Sequence, residues 1–152
     1  MALKPDRIES YTDISFFCNT VAERGGIVVH LGNGGSGVSM DDASAVVAYP
    51  TANTGTKPAG LLLNDVVNLD LTRQHINWHK DEVQLGSKVT LLRQGQVTTD
   101  MVGTGVTPTA GADAYYDNDG KLTTVSTNSV KVGRFLSGKD ADGYVKVDIN
   151  IT

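Results

Sequence analysis

Hydrophobic and polar positions alternate most regularly at the C-terminal end of the chain. Val145, Val147, Ile149 and Ile151 fall on one side of an extended run, and Lys146, Asp148, Asn150 and Thr152 on the other. That period of two is the signature of a half-buried β-strand. Upstream, strand-like runs at Ala114-Tyr115-Tyr116, residues 121–125 and Val130-Lys131-Val132 alternate with the turn segments Asp117-Asn118-Asp119-Gly120 and Asp140-Ala141-Asp142-Gly143. The Asp-Gly pair in each supplies the positive-φ residue that a tight hairpin needs. The last third therefore reads as a compact β-meander.

The earlier chain continues the theme. Ile27-Val28-Val29-His30-Leu31 is a short continuous apolar run, and Leu61-Leu62-Leu63 follows a loop rich in Gly, Pro and Thr. Val67, Leu69 and Leu71 alternate with Asn68 and Asp70, which predicts another half-buried strand. Residues 88–93 and 96–102 read as two more strands, with Gln94-Gly95 as the turn between them. Residues 1–24 differ: a polar start leads to Ile14, Phe16, Phe17 and Val21. They read either as an extended arm that docks its aromatic pair on a neighbour or as a first strand packed on its own domain. The expected fold is all-β: a single antiparallel β-sandwich or β-barrel-like domain over residues 25–152, with short hairpins and an N-terminal arm over residues 1–24.

Composition supports strands. Valine and threonine make 34 of the 152 residues and glycine another 17, a mix that favours pleated structure and turns over helices. The net charge of −4 argues against a protein built to neutralise nucleic-acid phosphates. No apolar run approaches the ~20 residues that span a bilayer as a helix, and the N-terminus lacks a secretory signal pattern. Cys18 is the single cysteine, so no intrachain disulfide can form, and it reads as a small buried apolar side chain in a protein folded in a reducing cytoplasm.

Candidate chemistry is sparse. Residues 32–37 match G-x-G-x-x-G after a strand, yet the long helix of a dinucleotide-binding unit does not follow; a hairpin tip is the better reading, and no cofactor is expected. His75 and His79 stand four apart, as two zinc ligands on a helix would, but H-E-x-x-H is absent and no third ligand is evident. The two D-x-D-G turns are fragments of a calcium loop without its later glutamate, so no metal is expected. No nucleophile stands with its base, and no enzyme activity is expected. Arg73, His75, Trp78, His79 and Lys80 instead compose a polar, aromatic segment suited to an interface or to an ordinary solvated connection.

Several stretches carry a resemblance. Asp113, Tyr115, Tyr116, Asp117 and Asp119-Gly120, then Val132-Gly133-Arg134, then Asp142-Gly143-Tyr144-Val145-Lys146-Val147, together with the segment from Lys57-Pro58-Ala59-Gly60 through Arg73-Gln74-His75 to Gly95, resemble the capsid cement (head decoration) proteins of tailed bacteriophages. The resemblance implies a structural virion protein, made in the host cytoplasm and seated on the outer surface of an expanded capsid. Its partners would be the major capsid protein and further copies of itself, as a homotrimer, with neither nucleic acid nor membrane involved. Phe16, Phe17, Arg73, His75, Trp78, His79 and Lys80 are the expected contact residues. The alternative is a displayed carbohydrate- or host-surface-binding β-domain that stacks sugars on Trp78, Tyr115 and Tyr116.

Overall fold

The computed structural model describes residues 3–4, 7–18, 22–31, 46–52, 54–65, 82–83, 88–127 and 129–151. These form β1 (Ile8–Cys18), β2 (Ala22–Glu23), β3 (Ile27–His30), β4 (Val46–Ala48), β5 (Pro58–Asp65) and β6 (Glu82–Val83). They continue with β7 (Lys88–Thr99), β8 (Asp113–Tyr116), β9 (Leu122–Thr123), β10 (Gly133–Phe135) and β11 (Val145–Asn150), with no helix among the described residues. The fold is all-β, as the hydrophobic pattern predicts.

Five strands close a barrel in the order β1-β4-β3-β5-β7 and back to β1. Neighbours run antiparallel except β1 and β4, which are parallel at Phe17 and Cys18. β7 is the long member and serves two sheets. β1 pairs with it from Lys88 to Gln96, β5 from Val89 to Leu92, and β11 takes over from Gln94 to Thr99. Beyond β11 the sheet continues through β10 and β8 to β9.

The buried side chains divide accordingly. Cys18, Val28, Val47, Ala59, Leu62, Val89 and Leu91 come from the five barrel strands alone and fill the barrel. Ile27, Val29, Leu61, Leu63 and Leu92, from the same strands, join Val97, Tyr116, Leu122, Phe135, Val145, Val147 and Ile149 in a second cluster against the outer sheet. A strand wall buried on both faces must be apolar at successive positions. That is why Ile27-Val28-Val29 and Leu61-Leu62-Leu63 are continuous runs while β11, with one face solvated, alternates. Cys18 is buried in the barrel and forms no disulfide.

Three expectations need correction. Gln94-Gly95 is not a turn: β7 passes through it without a break, because Gly95 is clamped between β1 and β11. A Cβ on Gly95 would lie 2.1 Å from the Ile8 carbonyl oxygen, so the glycine marks a close backbone approach. The C-terminal third is not a simple meander, since β10 returns to the far edge of β8 and does not pair with β9. The strand expected at residues 130–132 is displaced to Gly133–Phe135, where Gly133 allows the Asp148 carbonyl to within 1.9 Å of where a Cβ would stand. The alternating run at residues 66–71 and the glycine-rich residues 32–37 lie outside the described residues.

Candidate interaction surface

β1 carries the largest concentration of exposed apolar side chains on the described surface. Ile8, Tyr11 and Ile14 are 58%, 51% and 53% exposed, and only Val125 and Val130 compare with them among the described residues. Their spacing of three does not fit the period of two of a regular strand. The pairing with β7 explains it: one extra residue on β1 between Glu9 and Tyr11 puts Ile8 and Tyr11 on one face, and a second irregularity spans Ile14. Among the described residues β4 meets β1 only at Phe17 and Cys18, which leaves the β1 edge from Ile8 to Ile14 without a strand partner. A bulged edge bearing Glu9 and Asp13 resists simple strand addition, so this surface offers side chains more than backbone.

Phe16 and Phe17, singled out in the sequence, sit at the end of this strand and are half-buried. Phe16 packs on the barrel-filling cluster, and its ring centre is 5.4 Å from that of His30. Phe17 has the Lys88 ammonium 5.8 Å from its ring centre, and Tyr11 has the Arg93 guanidinium at 5.6 Å. Such cation–ring contacts hold flat rings in place at a solvated surface. Most of the expected N-terminal arm is thus the strand that closes the barrel. Arg73, His75, Trp78, His79 and Lys80 lie outside the described residues.

At the barrel end below Phe16, His30 and Lys57 are cross-strand neighbours, the His30 N–H donating to the Lys57 carbonyl at 3.0 Å. Burial, then the charges of Arg93 and Lys57, hold the His30 pKa below its ordinary value. The Arg93 Nη1 is 3.9 Å from Asp13 Oδ2. A shallow cavity of about 250 Å³ opens beside it, lined by Tyr11, Arg93, Gln94 and Ile151.

The other candidates resolve as architecture. Asp117 Oδ1 accepts the N–H groups of Asp119 and Lys121 at 2.9 and 3.0 Å. Asp140 Oδ1 accepts those of Asp142 and Tyr144, both at 2.9 Å, and these bonds, the Tyr144 one foremost, lower its pKa. Each turn closes on a glycine with φ of +82° or +87°. One oxygen of each leading aspartate is thereby committed to its own backbone, the Asx-turn use of the residue. No group of three or more His, Cys, Asp or Glu suited to a metal occurs among the described residues. Tyr116, expected to stack sugars in the alternative reading, is fully buried, with its hydroxyl donating to the Thr56 carbonyl at 3.1 Å. A ring in the core has no face to offer a ligand.

The described residues thus form a closed barrel with a sheet at its back, with Asp117 and Asp140 committed to turns and three of the large exposed apolar side chains on β1. The family model described as structural cement protein (E217 gp24/Pam3 gp6) matches residues 5–150. The chain belongs to this family of phage cement proteins, which gives it a structural, capsid-stabilising role in the phage capsid. A comparison with curated proteins found no match.

Proposed function

We propose that the protein binds the outer surface of the expanded capsid and bridges neighbouring major capsid proteins, as a homotrimer. The observation that carries this reading is the β1 surface: Ile8, Tyr11 and Ile14, three large apolar side chains on one strand, are left in water. Exposed apolar groups rimmed by charge are a usual mark of a protein contact. Phe16 and Phe17 extend the surface, and Arg73, His75, Trp78, His79 and Lys80 complete the contact set.

Stabilisation follows from differential binding. A ligand that binds the expanded lattice and not its precursor holds the lattice in the expanded state by that difference alone. Individually weak contacts suffice, because a trimer touching several capsomers gains from effective concentration. The test is co-sedimentation with expanded and unexpanded heads stripped of this protein. Binding to expanded heads only is expected; binding to neither would end the proposal.

A further inference from the structure

Arg93 is unusually placed for a strand residue. β1 pairs Thr12 with Leu92 and Tyr11 with Gln94, so Arg93 is the extra residue of a bulge on β7. Bulges re-aim a side chain, and here the guanidinium meets the Tyr11 ring and the wall of the cavity of about 250 Å³. Its Nε is buried and bonds to no acceptor, while its Nη1 is ion-paired with Asp13 Oδ2 at 3.9 Å, too long for a hydrogen bond. A guanidinium donates only, and its planar fork matches a carboxylate.

Resting on the reading above, we propose that the Arg93 cavity receives a carboxylate side chain from a neighbouring protein chain of the shell. The lining suits that occupant. Arg93 and the Gln94 amide supply donors, while Tyr11 and Ile151 supply apolar walls for the methylene stem of a glutamate. Among the described residues Lys57 and Arg93 both act on His30 and outnumber Asp13, the anion beside Arg93, so this end carries a cationic excess in a protein of net charge −4. Complementary charge of this kind selects and orients a partner. Nucleic acid is disfavoured as occupant by the protein's overall charge, which repels a polyanion at distance.

The experiment uses the full chain, isotope-labelled, titrated with a blocked triglutamate peptide, its triglutamine counterpart, and inorganic phosphate. The expected result is that triglutamate alone shifts the amide resonances of Tyr11, Arg93, Gln94 and Ile151, and that Arg93→Gln abolishes the shift while melting like the parent. No shift, an equal shift with triglutamine, or an equal shift with phosphate would each overturn the proposal, the last by reducing the site to a general anion contact. If Arg93→Gln fails to fold, Gln94→Ala is expected to weaken the peptide response, and an unweakened one counts against the site. On expanded heads Arg93→Gln should bind about ten-fold or more weakly; undiminished binding overturns the proposal. Peptide binding by a protein that binds no heads would sink the capsid reading and leave the carboxylate site standing.

Discussion

The backbone N–H of Ile27 donates to the carbonyl of Gly120 at 2.8 Å, fastening the first residue of a barrel strand to a turn of the outer sheet. The Tyr49 ring fills the angle between them. Its hydroxyl accepts the Gly26 N–H at 3.1 Å and donates to the Glu23 carbonyl. A Cβ on Gly120 would lie 2.5 Å from Tyr49 Cδ1 and 2.6 Å from the Ile27 carbonyl oxygen.

Gly120→Ala should therefore cost more than the matching change in the other aspartate turn. Gly143 has a similar φ of +87° but nothing within 4 Å of its absent Cβ. Gly143→Ala incurs the left-handed strain alone, about 1–2 kcal/mol, whereas Gly120→Ala adds the two clashes and should approach ~3 kcal/mol. Urea unfolding of both variants measures the difference, and equal losses would mean that the Ile27–Gly120 junction is slack.

Gly95→Ala should act on a different part of the molecule. The added methyl would push against the Ile8 carbonyl and lift the start of β1 from β7. Hydrogen exchange is expected to speed up in β1 first, with the β10–β11 pair keeping its protection. Uniform acceleration would show that β1 unfolds only with the whole molecule.

The β1 surface separates binding from folding. Ile8→Ser, Tyr11→Ser and Ile14→Ser together alter exposed positions and should shift stability by no more than about 1 kcal/mol, yet weaken binding to expanded heads. Removing residues 1–18 takes out a barrel strand and should abolish the cooperative melt. Undiminished head binding by the triple variant would move the contact off β1.

His30 makes stability pH-dependent in a stated direction. Its folded pKa lies below the ordinary value of 6.5, so the unfolded chain takes up the proton first. The stability contributed by the neutral ring is present above pH ~6.5 and declines as pH falls from there toward the lowered folded pKa. His30→Gln should flatten the fall in melting temperature between pH 7 and pH 5 relative to the parent. Asp140, whose pKa is also lowered, acts in the same direction at lower pH: its contribution holds above the ordinary carboxylate pKa and is lost as pH drops through the folded value.

Much of the architecture was legible in the chain. Alternation in Val145 to Ile151 gave β11 and its buried face, and the two Asp-Gly pairs marked real turns. Residues whose roles depend on distant backbone were not legible. Gly95 resembles a turn glycine until Ile8, far upstream in sequence, is seen against it. The surface at Ile8, Tyr11 and Ile14 was missed because bulges break the period that pattern reading relies on. Tyr115 and Tyr116 look alike in sequence, but strand parity buries the second. Arg93 carries no sequence signal of its own, since its unpaired Nε depends on the register of two strands.

The sharing of β7 between both sheets has a consequence for synthesis. β1 is made early, yet the strand that pairs with it begins at Lys88, and β7 itself gains its other flank only when Val145–Asn150 arrive. Pairings so remote in sequence form slowly, after the loops between them have closed. A ribosome-bound fragment lacking β7 and β11 has neither a closed barrel nor a backed sheet, so its β1 surface is not yet presented in folded form. The β1 surface is therefore a late product of the chain, complete only once both flanks of β7 are in place.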